Sequence, residues 1–237
     1  MYSVYNNKSP AMTASSVQLV RLESAPDLVD QVYRALRDGI SDGSIAPGAR
    51  LTQEDIAQQL AVSRQPVLQA LRLLKKDGFV QDAPGRGVQV TPLDPDQIAG
   101  LYQVRGALDA LAARLAAQHR YKMDPQLIAR GRQAEQRGQF QAMIDADLAF
   151  HRAIYQGSQN PLIEPSAHQH WHHLRRVMGA VLQSSRQRES LWDEHEAIAQ
   201  AIAAGDGTRA AELIEAHALQ ASLQLTARLR AQLAQAG

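Results

Sequence analysis

The sequence predicts a mainly α protein in two parts, three helices and a hairpin followed by an all-α helical bundle. Three observations predict it. Apolar residues recur at helical spacing through most of the chain, and only "FVQDAPGRGVQVTP", residues 79–92, alternates in two short runs around a glycine turn. Pro92 and Pro95 in "TPLDPD" mark a junction between the two parts. The expected division is a mobile tail over 1–24, a first domain over 25–92 and a second over 93–237.

The totals narrow the classes. With 237 residues, each part can bury a core of its own. Lys and Arg number 25 against 24 Asp and Glu, so any nucleic-acid contact must come from a local basic patch. There are no cysteines, which excludes disulfides and thiolate chemistry and leaves nitrogen and oxygen as metal ligands. No apolar run approaches the roughly 18 residues of a membrane span, and no basic segment followed by an apolar core opens the chain. A cytoplasmic protein without a membrane partner is expected.

The first helix is expected from Pro26, with Val29, Val32, Leu36 and Ile40 at helical spacing, until Gly43, Pro47 and Gly48 break it. In "TQEDIAQQLAV", Thr52 and Asp55 are spaced as a capping box, and Ile56 and Leu60 form a short apolar face. A tight turn at Ala61 and Val62 leads to Ser63, a suitable N-cap for "RQPVLQALRLLKKDG". That third helix turns Val67, Ala70, Leu71 and Leu74 inward. From Asp96 onward, punctuation at "DP", "GSQNP" and "AGDG" separates six helical segments, about 95–119, 124–136, 138–157, 161–183, 189–204 and 207–234.

Three helices and a wing hairpin make a winged helix-turn-helix, whose third helix enters the major groove of DNA. From Leu60 to Lys76 the chain carries Arg64, Arg72, Lys75 and Lys76 and no acid. Arg64, Leu68 and Arg72 recur at i, i+4 and i+8 opposite the apolar face, so they form one outward row. The two arginines suit guanine edges or phosphates, Ser63 and Lys75 the backbone, and Leu68 a thymine methyl. Gln65 and Gln69 complete the candidate reading surface. Arg86, between two glycines at the hairpin tip, is placed for phosphate or the minor groove.

The stretch "GSIAPGARLTQEDIAQQLAVSRQPVLQALRLLKKDGFVQDAPGRGVQV" resembles the DNA-binding domain of GntR-type bacterial transcriptional regulators. The shared elements are P-G-x-x-L, L-A-x-x-L-x-V-S-R-x-P-V, A-L-x-x-L and G-x-x-x-x-x-x-G-R-G-x-x-V. One departure matters. The family commonly has Arg-Glu after Pro-Val, where this chain has Leu68-Gln69, so its common operator is not expected here.

Four helices of the second part place a polar residue in an apolar stripe. Asp147 and His151 share a face in "DADLAFHRAIYQGSQN", His195 falls in the stripe Leu191, Ile198, Ile202, and His217 in Ile214, Ala221, Leu225. Arg105 falls in Ile98, Leu101, Leu108, Ala112, Leu115. A lone inward histidine is usually a satisfied core residue, but several unpaired ones would cost a few kcal/mol each. A divalent metal resolves them together. One oxygen and three nitrogens suit zinc first, and also nickel, manganese or iron.

This half resembles the FCD ligand-binding domain of the FadR subfamily, on "DLAFHRAIYQGSQN", "EHEAIAQAIAAGD" and the later "AH", with a helix count nearer the six-helix VanR branch. The resemblance implies a metal held by Asp147, His151, His195 and His217, and an organic-acid effector. Arg105 facing a metal suggests an anion between them, a small carboxylate, and Asn160 is a further effector contact or the cap of the next helix. In "HQHWHH", His168 and His172 have i, i+4 spacing, but Trp171 and Leu174 turn only part of that helix inward. His119 reads as a charge partner at a helix end.

The expected function is a DNA-binding regulator, a repressor rather than an activator, with no catalytic residues. It is expected as a homodimer on a palindromic operator, because one winged helix makes too few contacts for useful specificity. The rivals are a metal-dependent enzyme with an accessory helix-turn-helix, for which Glu194 and Glu196 would be tested as bases, and a regulator whose metal is purely structural.

Overall fold

The structure is a computed structural model and describes residues 28–85, 87–182 and 191–236. The expected tail over 1–24 lies outside the described residues. The head comprises α1 (Leu28–Asp42), β1 (Arg50–Leu51), α2 (Gln53–Gln59), α3 (Arg64–Lys76), β2 (Val80–Asp82) and β3 (Val88–Val90). The bundle comprises α4 (Pro95–Gln118), α5 (Gln126–Gln136), α6 (Phe140–Gly157), α7 (Ile163–Leu182), α8 (Leu191–Ala204) and α9 (Gly207–Ala236).

The head closes on Val32, Leu36 and Ile40 of α1, Val67, Leu71 and Leu74 of α3, and Phe79 and Val90 beyond them. Burying each such side chain contributes about 1.5–3 kcal/mol, so this short core holds α3 firmly against α1. Thr52 caps α2, accepting from Asp55 N at 3.2 Å while its hydroxyl donates to the Asp55 carboxylate at 2.7 Å. Ala61 turns the chain at φ 51, and α3 begins two residues beyond Val62. Ser63 takes the N-cap position without a side-chain cap bond, contrary to expectation.

A third strand joins the hairpin. Arg50 and Leu51 pair antiparallel with Gln89 and Val88, giving the order β1-β3-β2. Two residues after Pro47 and Gly48 carry no readable period, so this strand exists only because β3 offers it a ladder. Gly87, at φ 93, lies where a Cβ would meet Leu51 O at 2.7 Å, so no side chain fits there.

In the bundle, α4 runs against α9 with Gly106 next to Ala218. The expected inner stripe of α4 is rotated. Tyr102, Arg105, Asp109, Ala112, Ala113 and Ala116 are buried, whereas Leu101, Leu108 and Leu115 are half-buried. Small residues let the two backbones approach, and that close packing decides which face turns in, over the pull of the larger leucines. Val104 and Leu111 on α4, with Leu219 and Leu223 on α9, remain 44–59% exposed.

Candidate functional site

The four expected metal ligands converge. Asp147 and His151 from α6, His195 from α8 and His217 from α9 are all buried, and each offers one donor atom within 4.8 Å of the others. Asp147 Oδ1 is 3.2 Å from His195 Nε2 and 3.8 Å from His151 Nε2. His195 is fully buried, stacked on Phe150 at 4.2 Å, and neither of its ring nitrogens has a hydrogen-bond partner among the described residues.

Burial pushes His195 down to about 3 and lowers His151 as well, so both imidazoles are neutral, the form that ligates metals. Burial alone would raise Asp147, but the nearby His195, His151 and Arg105 outweigh it and hold the carboxylate ionised. Three imidazole nitrogens and one carboxylate, with an orphaned imidazole among them, fit a divalent cation.

Asp109, one turn after Arg105, escaped the sequence reading. It is fully buried, with Oδ2 at 3.0 Å from Arg105 Nε and 3.3 Å from His151 Nδ1. Tyr155 donates to its other oxygen, and Trp171 Nε1 donates to Tyr155 at 3.1 Å. Burial disfavours its charge, but Arg105, His151 and Tyr155 more than compensate and lower its pKa. Arg105 Nη2, which can only donate, lies 2.6 Å from His151 Nε2, so that nitrogen carries the lone pair and Nδ1, on the side of Asp109, carries the proton. The i, i+4 spacing to Arg105 was the available signal.

Arg105 is 1% exposed, with its guanidinium 3.9 Å over the Trp171 ring. Its charge is balanced by Asp109, which corrects the expectation that only an external anion could justify it. It still lines a cavity of about 60 Å³ beside the cluster, with Asp147 and His217 at the polar end and Met143, Ile144, Met178 and Leu225 on the walls. One water needs roughly 10–15 Å³ on this measure, so the space suits a few-atom ligand. Tyr102, Gln224 and Arg228 also face this cavity, and the sequence reading did not single them out. Asn160 does not face it. Its side chain accepts from Leu162 N at 3.1 Å at the start of α7, the capping alternative. Glu194 lies 3.0 Å from His217 Nδ1, whereas Glu196 turns outward to Arg132 at 2.7 Å.

The "HQHWHH" segment joins bundle to head. Trp171 and Met178 face the site, while Gln169, His173 and Arg176 face the head. His173 Nε2 lies 2.9 Å from Asp77 O, and its ring stacks on Phe79 at 4.2 Å and 7°. Asp77 is the C-cap of α3 and also accepts from Tyr33 at 2.7 Å. Arg176 donates to Thr91 O. His168 and His172 contact each other at 4.6 Å, away from the four ligands.

On α3, Arg64, Gln65, Arg72 and Lys75 are exposed and Leu68 and Gln69 half-buried, so the row stands outward, with exposed Ser63 at its start. Acids from neighbouring elements reach it. Arg64 pairs with Glu54 at 2.9 Å and Lys75 with Asp82 at 2.6 Å. Arg86 lies outside the described residues.

A winged head joined to an all-helical bundle with a buried donor cluster is the architecture of a DNA-binding regulator. The comparisons agree. Residues 28–90 match the bacterial regulatory proteins of the gntR family and residues 100–235 match the FCD domain. This chain belongs to the GntR family of transcriptional regulators and carries an FCD domain. It is 29% identical to the regulator LutR of Bacillus subtilis over 210 residues, 75% of this chain and 92% of LutR. It is also 29% identical to McbR of Escherichia coli over 60% of this chain and 66% of McbR, and 32% identical to the repressor RspR of Escherichia coli over 53% of this chain and 57% of RspR. Among solved structures, a GntR regulator from Rhodococcus sp. RHA1 superposes with a TM-score of 0.69 at 25% identity, covering 83% of this chain and 96% of that one. These families and relatives are transcriptional regulators, not enzymes. Among the described residues, no helix is long and apolar enough to cross a membrane.

Proposed function

We propose that this protein is a metal-dependent repressor that binds a palindromic operator as a homodimer and responds to a small carboxylate. The observation that carries the reading is the meeting of four buried donors from three helices, with His195 lacking any other partner. Asp147, His151, His195 and His217 would hold the metal, zinc first by donor type, and the bound metal would supply a Lewis-acidic position for an anionic ligand.

Charge supports a carboxylate effector. Arg105 and Asp109 cancel, and a divalent metal against Asp147 leaves a net positive charge in the cavity, to which Arg228 on its lining adds, so an anionic ligand is favoured. Glu194 sits 29% exposed behind His217, where solvent screens it. Similarity to RspR supports repression. The exposed Val104, Leu111, Leu219 and Leu223 support a self-complementary contact between two copies along α4 and α9. Helix α7 is the route by which filling the cavity would bias the reading heads, since it touches both.

The test is metal content per chain, in protein purified without a histidine tag, for wild type and His195→Ala. About one metal in wild type and none in the variant is expected, followed by metal-dependent release from operator DNA in a screen of small carboxylates. Absence of metal in both would sink the reading, and a metal with no carboxylate response would make it structural.

A further inference from the structure

The Nη2 atom of Arg105 lies 2.6 Å from His151 Nε2, the nitrogen that faces Asp147 at 3.8 Å. The other ring nitrogen faces Asp109 at 3.3 Å. With its proton held there, the imidazole has one lone pair, and it is the pair that would ligate a metal. A ligand bond of about 2.0–2.1 Å along that direction would put the metal within contact distance of the guanidinium. Two cations cannot share it.

We infer that Arg105 and the metal are alternative occupants of His151 Nε2, and that metal loading releases the guanidinium into the cavity as the receptor for the carboxylate. This rests on the metal reading above. The side chain can turn without losing its neutralising partner, because Nε faces Asp109 at 3.0 Å while the two Nη groups lie further along the fork. Its flat face rests 3.9 Å from the Trp171 ring, a surface on which a planar cation slides more easily than it lifts. Arg105 already lines the cavity, so a short rotation presents Nη groups to an acid bidentately.

Two consequences follow. In metal-free protein Arg105 is the cation beside both buried carboxylates; it balances one of Asp109 and Asp147, and the metal supplies the charge that balances the other. The acid site is also sequestered until metal binds, which orders the two ligands and makes the acid tighten the metal as the metal tightens the acid.

The test titrates chelator-stripped protein with zinc against a competing chromophoric chelator, for wild type, Arg105→Lys and Arg105→Met. The lysine variant keeps the charge and the fold's ion pair, but its shorter ammonium does not reach His151. Both variants are expected to bind zinc about tenfold tighter than wild type, the order of one charge-assisted hydrogen bond that no longer competes for His151 Nε2. The chain has two tryptophans, so in a Trp192→Phe background zinc should also shift the Trp171 emission of protein carrying Arg105 and leave that of Arg105→Met unchanged. Tightening in Arg105→Met alone would mean a general charge effect and overturn the inference, as would equal or weaker binding in both. Wild type that binds no zinc would overturn the metal reading as well, whereas zinc binding unchanged by the variants would remove this inference alone.

Discussion

The imidazole of His173 lies flat on the ring of Phe79, centroids 4.2 Å apart, while its Nε2 meets the carbonyl of Asp77 at the end of the DNA-reading helix. Two residues earlier on the same helix, Trp171 packs against Arg105 and His151 in the donor cluster. One rigid helix therefore touches both sites.

Replacing His173 with Ala should uncouple them. The stacking and hydrogen bond are together worth about 1–3 kcal/mol, enough to weaken the grip on α3 without unfolding either core. Operator affinity measured with and without the carboxylate should show the effector ratio fall toward one, with metal content unchanged. A full response in His173→Ala would place the coupling elsewhere.

Asp109→Asn should be among the most damaging single changes in the bundle. It leaves the buried guanidinium of Arg105 without its counter-charge, a loss of about 3–5 kcal/mol for a broken buried pair. Urea unfolding should show a lower midpoint with an unchanged slope. An unchanged midpoint would mean that Arg105 finds other compensation.

Acid should weaken the metal-free protein before any carboxylate titrates. His195 is pushed down to about 3 and His172 to about 4, both first by burial, against about 6.5 in the unfolded chain. The unfolded state then binds more protons as pH falls below about 6.5, so stability declines from there. The share from the lowered Asp147 and Asp109 is fully present above about 3.9 and is lost only below it. Unfolding midpoints at pH 7.5, 6.5, 5.5 and 4.5, as chosen conditions, should fall in sequence, and less steeply in His172→Gln. A flat series down to about pH 5 would contradict the neutral buried histidines.

Glu54→Gln should strengthen operator binding. Glu54 holds Arg64 at 2.9 Å with both side chains well exposed, so the pair itself contributes little to stability and competes with a phosphate or base for the guanidinium. Binding isotherms at two salt concentrations should give a tighter complex for Glu54→Gln and a weaker one, with a shallower salt slope, for Arg64→Ala. Equal affinity for all three would remove Arg64 from the interface.

Leu219→Asp with Leu223→Asp should produce monomers. Both leucines are more than half exposed, on the face of α9 turned away from the buried His217, so the substitutions leave the core intact. Light scattering should show the mass halved and metal content retained. A dimer that survives the pair would put the interface on another face.

The order of helices, the head with its outward basic row, and the five polar residues that turn inward were legible from the sequence. Each is a matter of period: i and i+4 share a face whatever lies opposite, so Asp147 with His151, or Arg64 with Leu68 and Arg72, could be read from spacing alone. The tertiary structure decided what period cannot carry. β1 exists because β3 presents a ladder to two residues, and α4 turns its alanines inward because Gly106 meets Ala218 and the backbones close up. Asp109 is within local reach of Arg105 but becomes the partner of His151 only once α4 and α6 are packed together, and the histidines of α7 face the head only once the domains are joined. Faces belong to a helix and its sequence, whereas partners belong to the packing, since contacts between residues 46 or 96 positions apart leave no local pattern to read.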